Sequence, residues 1–169
     1  MLQEGRPAEA LPHLQEAIRL QGAGVSTMMQ IAVAYDMLGR FDEEERALSD
    51  LMRETTTLPD SHALLASVLL RRKQLDRAEQ ELDVALTMAP ELPSAWIVAG
   101  QLAEAKGETD RALAAYAHAV ARSPSARYHA MYAAAAARAG RSDLAKAEAR
   151  RCLEREPARP DCRKLLEAP

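Results

Sequence analysis

Aromatic side chains are scarce in this 169-residue chain, at 4% of residues, and it contains only two cysteines and seven glycines. Few aromatic residues combined with many alanines favour closely approaching helices over a thick sheet core. No segment alternates polar and apolar residues while being rich in Val, Ile, Thr and Tyr, so strands are not predicted. No run approaches 18 consecutive apolar residues, which excludes a predicted membrane span.

Cys152 and Cys162 are too few for a disulfide framework, and their spacing does not suit a zinc site. We therefore expect two free thiols. No cofactor-binding motif is present, because the sequence has no phosphate-binding glycine loop and no dinucleotide fingerprint. A nucleophile elbow is also missing. The expectation is a protein without cofactor, without metal and without catalysis of its own.

The net charge of −3 gives no bulk attraction to nucleic acid, so no nucleic-acid partner is expected. The charge is nevertheless uneven. Residues 1–100 carry 9 basic and 16 acidic residues, and residues 101–169 carry 13 and 9. The basic end is predicted to be a solvated mixed surface, with docking of an acidic partner as the alternative. No signal peptide is evident, and a cytoplasmic location is only the default expectation.

A repeat of 34 residues organises the chain. The segment "PSAWIVAGQLAEAKGETDRALAAYAHAVARSP" has the pattern of a helix, a glycine turn, a second helix and a proline stop. Stepping back by 34 places Pro124 on Pro90, and Gly107 lies two steps after Gly39. Stepping forward takes 33 residues to Gly140, most simply through one deletion in a loop.

The strongest unit resembles the tetratricopeptide repeat family, whose unit is a helix–turn–helix of about 34 residues. The positions that carry this resemblance are Trp96, Gly100, Gly107, Ala112, Tyr116, Ala119 and Pro124. Lys73 and Glu44 depart from the pattern, at the turn glycine of one unit and the small residue of another. The resemblance implies an all-α fold, a right-handed α-solenoid of stacked helix–turn–helix repeats.

We predict one repeat domain over residues 1–169. Its parts are a partial repeat (1–24), four repeats (25–58, 59–92, 93–125 and 126–159) and a terminal short helix (160–169). The helices are expected near 7–20, 26–38, 41–54, 60–72, 75–89, 93–106, 109–122, 126–139, 142–156 and 161–167. The chain opens close to a turn glycine, Gly5, so we expect it to be a fragment of a larger protein.

Two groups of polar residues are expected to be structural. His62 and His129 fall at the repeat position of Trp96, which predicts half-buried packing residues in place of metal ligands. The acidic run from Asp42 to Glu45 opens a second helix, where acidic residues suit the helix dipole, so a solvated first turn is expected.

The resemblance implies that the first helices of successive units line a concave groove in which ligands lie. α-Helical counting selects first-helix residues that face away from the core of their own helix pair. These candidate groove residues are Met29, Val33, Asp36, Met37, Ala63, Ser67, Leu70, Arg71, Ile97, Gln101, Glu104, Ala130, Ala134 and Arg138. None is Lys or Asn, which disfavours the family's clamp for acidic C-terminal peptides.

The apolar part of this groove raises three alternatives. Met29, Val33 and Met37 could be covered by a helix preceding the chain, could bind a partner segment, or could be buried between two copies of the chain. An amphipathic helix or an extended apolar segment is the expected partner. The predicted function is a protein-interaction or scaffold module. The alternatives are a repeat segment that regulates or scaffolds an enzyme or assembly machine in a longer chain, and self-association through the same apolar surface.

Overall fold

The computed structural model describes the backbone of residues 6–21, 25–54 and 58–167. It describes the side chains of the same residues except 21, 25, 26, 29 and 51–54. This part of the chain contains helices and no strands, which confirms the all-α prediction. Each predicted helix is present with both ends within one residue of expectation. The helices are α1 (Pro7–Gln21), α2 (Val25–Met37), α3 (Phe41–Glu54), α4 (Pro59–Arg71), α5 (Leu75–Met88), α6 (Pro93–Ala105), α7 (Thr109–Arg122), α8 (Ala126–Arg138), α9 (Ser142–Arg155) and α10 (Pro160–Glu167).

The turns inside the helix pairs explain why the helix ends could be predicted. After α6, the Gly107 N–H donates to the Glu104 carbonyl (3.0 Å) and the Glu108 N–H donates to the Ala103 carbonyl (2.8 Å). This pair of hydrogen bonds is typical of a helix that ends at a residue in the left-handed conformation, and Gly107 has φ 77°. Lys73 adopts φ 59° at the same repeat position, so this turn forms with a side chain present.

The chain divides into two compact units. Unit 1 (Met1–Met88) contains the pairs α2/α3 and α4/α5, with α1 packed on α2. Unit 2 (Ala89–Pro169) contains the pairs α6/α7 and α8/α9, with α10 packed on both helices of the last pair. The single repeat domain over the whole chain stays a prediction.

The core of unit 2 is built around one aromatic ring in contact with one glycine. Tyr116 of α7 is 1% exposed and packs on Tyr132 of α8, with ring centroids 6.4 Å apart. A Cβ atom added at Gly100 of α6 would lie 2.8 Å from Cε1 and Cζ of the Tyr116 ring. The glycine therefore lets α6 approach α7 as closely as it does.

The Gly100→Ala substitution is expected to destabilise the chain by about 1–2 kcal/mol. Overpacking typically costs about 1–3 kcal/mol, and the better helix propensity of Ala returns roughly 0.5–1 kcal/mol. Urea unfolding followed by circular dichroism measures the change. In a Tyr116→Leu background the ring is absent, so Gly100→Ala should become neutral or stabilising. Equal destabilisation in both backgrounds would contradict the proposed contact.

The expectation of free thiols is wrong. Cys152 of α9 and Cys162 of α10 form a disulfide, with their Cα atoms 6.5 Å apart. The short terminal helix folds back onto α8 and α9, which brings two residues separated by ten positions within bonding range. Both cysteines are fully buried and pack with Ala130, Ala133 and Ala149.

Candidate functional site

The apolar stripe of α2 is partly accessible. Val33 and Met37 lie one helical turn apart, and they are 38% and 46% exposed. The Met29 side chain lies outside the described residues. Met28 and Ile31, which lie on another face of α2, are buried in unit 1, at 8% and 6% exposure.

Several candidate groove residues lie inside the fold. Ala63, Ile97 and Ala130 occupy one repeat position on α4, α6 and α8, and they are 2%, 6% and 6% exposed. Ile97 and Ala130 pack in the hydrophobic core of unit 2. At these exposures none of the three side chains offers a surface to a partner. The partly exposed candidates on the same helices are Ser67, Leu70, Gln101, Glu104 and Ala134.

Arg71 connects three helices of unit 1. Its Nη2 atom lies 2.7 Å from Oδ1 of Asp36 on α2 and 2.9 Å from Oε2 of Glu44 on α3. Nη1 donates to the Ser67 hydroxyl at 2.9 Å, and the guanidinium carbon lies 5.0 Å from the centroid of the Phe41 ring. Arg71 is thus held by two carboxylates, a hydroxyl and an aromatic face.

The prediction of a solvated acidic turn at the start of α3 is wrong for Glu44. Its side chain is fully buried, while Asp42 at the start of the same run is 71% exposed. Burial raises the pKa of Glu44 to about 7, and the opposing attraction of Arg71 only partly offsets the effect. The repeat has Ala at this position in its other three units, as Ala78, Ala112 and Ala145. The sequence marked Glu44 as unusual but did not reveal its partner.

In unit 2, Arg138 bonds one carboxylate, whereas Arg71 bonds two. Its Nε and Nη2 atoms both donate to Oε1 of Glu104 on α6, at 3.0 and 2.7 Å. The Tyr116 hydroxyl donates to Oε2 of the same carboxylate at 2.8 Å. The Arg138 side chain remains 61% exposed.

Two histidine–glutamate pairs occupy equivalent places in the two units. His62 Nδ1 lies 2.7 Å from Glu81 Oε2, and His129 Nδ1 lies 2.7 Å from Glu148 Oε2. His62 is partly buried, as predicted, whereas His129 is buried, at 4% exposure, and not half-buried. Trp96 instead stacks on His118, with ring centroids 4.5 Å apart. The sequence signal for the pairs was a shared spacing of 19 residues, which the prediction overlooked.

No helix of the described residues is long and apolar enough to cross a membrane. In the same part of the chain, no group of three or more His, Cys, Asp or Glu residues could hold a metal ion.

Two models of the tetratricopeptide repeat match the sequence, one over residues 2–59 and the other over residues 93–125. Together they span more than half of the chain. The chain belongs to the tetratricopeptide repeat family. Tetratricopeptide repeats form protein-interaction or scaffold modules and typically carry no catalysis, and the chain is therefore assigned to this functional class. No curated protein matches the sequence.

Solved structures of tetratricopeptide repeat proteins have the same fold. A thermophilic repeat protein from Thermus thermophilus is 20% identical, with a TM-score of 0.89 over 98% of this chain and 91% of that chain. MamA (41-end) from Desulfovibrio magneticus RS-1 is 22% identical, with a TM-score of 0.63 over 94% and 90%. At these identities the likeness shows a shared all-α repeat fold and nothing more specific.

Proposed function

We propose that the first helices of this repeat protein bind a segment of a partner protein, with α2 supplying the apolar contact. The observation that carries the proposal is the exposure of Val33 and Met37 on a face that the repeat's own core does not use. Asp36 lies on the same helix and Arg71 lies on the next first helix. The surface thus combines an apolar patch with adjacent charges.

The size of the patch limits the affinity it can provide. Complete burial of an exposed Val or Met side chain contributes about 1.5–3 kcal/mol, and these two are already about half buried. Association costs an estimated 4–15 kcal/mol. The patch alone therefore supports only weak binding, and a functional complex requires polar contacts or a tethered partner as well.

The occupant that fits this surface is an amphipathic helix or an extended apolar segment. Met side chains adapt to differently shaped apolar partners because they are unbranched and flexible. A helix placed in a groove would present apolar residues at helical spacing to Val33 and Met37 and polar residues to Asp36 and Arg71. Such an occupant matches both the apolar and the charged part of the surface.

The experiment compares partner capture by two variants with the same change in chemistry. Val33→Glu with Met37→Glu places two charges on the proposed surface. The matched control is Val84→Glu with Met88→Glu, which alters an equally exposed apolar pair on the second helix α5 (40% and 39%). Affinity capture from a native extract should fall at least about tenfold for the α2 variant, because an unpaired carboxylate is costly to bury.

The control variant should capture the same proteins as the original chain, and both variants should retain helical circular dichroism. Undiminished capture by the α2 variant would contradict the proposal. An equal loss in both variants would do so as well, since it would show that the effect is not specific to the α2 surface.

A further inference from the structure

Each unit contains an ion pair between successive first helices, at equivalent positions of the repeat. Asp36 pairs with Arg71 in unit 1, and Glu104 pairs with Arg138 in unit 2, both at 2.7 Å. In repeat register, Glu104 lies two repeats after Asp36 and Arg138 lies two repeats after Arg71. The two arginines therefore occupy the same place in two copies of one architecture.

In unit 1 the space beside the arginine is filled from within the chain. Phe41, the first residue of α3, places its ring against the Arg71 guanidinium at 5.0 Å. Glu44, one turn later, accepts hydrogen bonds from Arg71 Nη2 at 2.9 and 3.1 Å. An aromatic ring and a carboxylate three residues apart thus complete the surroundings of this arginine.

In unit 2 the equivalent space is open. Thr109 stands at the repeat position of Phe41, and Ala112 stands at that of Glu44. A cavity of about 200 Å³ lies here, between the end of α6, the start of α7 and the end of α8. Its walls include Glu104, Thr109, Ala112, Leu113, Ala135 and Arg138.

We propose that this cavity binds a partner peptide that presents an aromatic side chain next to a carboxylate. The peptide supplies in unit 2 what Phe41 and Glu44 supply in unit 1. This inference rests on the proposed interaction function. It specifies the chemistry of the partner segment that binds in unit 2.

Size and charge both fit this occupant. A cavity of roughly 150 Å³ is large enough to hold a benzene molecule, so about 200 Å³ accommodates one aromatic ring. Arg138 is 61% exposed and bonds Glu104 through Nε and Nη2. Its exposed guanidinium can therefore lie over a ring and pair with an incoming carboxylate. The surrounding unit favours an anion, since residues 89–169 carry 13 basic and 10 acidic residues.

The probe is a labelled, end-blocked peptide, Phe-Asp-Glu-Glu, which has the ring and carboxylate spacing of Phe41 and Glu44. Two comparison peptides are Ala-Asp-Glu-Glu, which lacks the ring, and Phe-Asn-Gln-Gln, which lacks the carboxylates. Binding to the full chain is followed by fluorescence anisotropy, and amide chemical shifts locate the contact. The first peptide should bind at least about tenfold more tightly than either comparison peptide.

Two variants test the location. Thr109→Phe places a ring in the cavity from within, and Arg138→Gln removes the cation, so each should weaken binding at least about tenfold. The matched control is Arg127→Gln, which removes another exposed arginine of α8 and should leave binding within about twofold. Circular dichroism confirms that each variant is folded.

Equal binding of the Ala and Phe peptides would overturn the inference, as would undiminished binding to the Thr109→Phe variant. A loss with Arg127→Gln as large as with Arg138→Gln would overturn it too, because it would indicate general attraction to a basic surface. If the peptide does not bind while partner capture still depends on Val33 and Met37, the inference fails and the proposed interaction function stands.

Discussion

Replacing Arg71 by Met is expected to destabilise the chain by about 2–3 kcal/mol at pH 8.5, because it leaves a buried acid without its cation. Glu44 is fully buried, and Arg71 donates to both of its oxygens. Met retains much of the length and apolar surface of the arginine side chain. The loss of stability in this variant therefore measures mainly the removal of the Arg71 charge.

The effect of Arg71→Met should shrink as the pH falls. The pKa of Glu44 is raised to about 7 in the folded chain, above its ordinary value of 4.5. The folded state therefore binds more protons than the unfolded state between these values, and Glu44 lowers stability as pH rises through that window. Without Arg71 the pKa of Glu44 rises further, so the decline in stability with rising pH continues above pH 7. At pH 5.5 Glu44 is protonated in the original chain and in the Arg71→Met variant. The difference between their free energies of unfolding should therefore fall to about 1 kcal/mol.

Urea unfolding between pH 5.5 and 8.5 measures this dependence, with two controls. Arg72→Met removes the neighbouring arginine, whose partners include the exposed Asp42, and should cost about 1 kcal/mol or less at every pH. Adding Glu44→Ala to Arg71→Met removes the unpaired acid and installs the alanine of the other repeats, which should restore most of the stability at pH 8.5. A loss independent of pH, or no restoration by Glu44→Ala, would contradict the account.

Removing the disulfide is expected to destabilise the last helix pair by about 2–3 kcal/mol, as a closed loop of this length predicts. Cys152 and Cys162 are separated by ten positions, and their bond joins α10 to α9. The eight residues of α10 are too few to form a stable helix alone. In the Cys152→Ala, Cys162→Ala variant, α10 should therefore lose protection from hydrogen exchange while α6 and α7 keep theirs.

The state of the two cysteines can be measured directly in the unaltered chain. The folded protein should not react with a thiol reagent, and reduction in denaturant should add two hydrogens to its mass. Labelling of both thiols without reductant would contradict the disulfide. Unchanged exchange protection of α10 in the double variant would instead show that packing of Leu165 and Leu166 is sufficient to hold the helix.

The helix boundaries could be predicted because single residues determine them. Gly39, Gly107 and Gly140 adopt the positive φ that ends a first helix, and Pro59 and Pro93 stand at helix starts. These signals act within one turn of the chain. They do not depend on how the helices pack, and sequence alone therefore gave each boundary to within one residue.

Contacts between helices could not be predicted in the same way. Periodicity places Ala63 and Ile97 on the outward face of their helices, but the structure buries both. Arg71 lies 27 residues from Glu44, and nothing in the local pattern joins them. The disulfide was missed for the same reason, since sequence spacing does not show that α10 folds back onto α9.

Site-specific photo-crosslinking tests most directly whether the exposed face of α2 contacts a partner. A photoreactive residue is placed at Val33 or Met37, and in parallel at Val84 or Met88, and each protein is irradiated in a native extract. If this face contacts a partner, both α2 positions should give an adduct of the same size, and the α5 positions should give none of that size. Adducts from α5 alone, or identical adducts from all four positions, would contradict it.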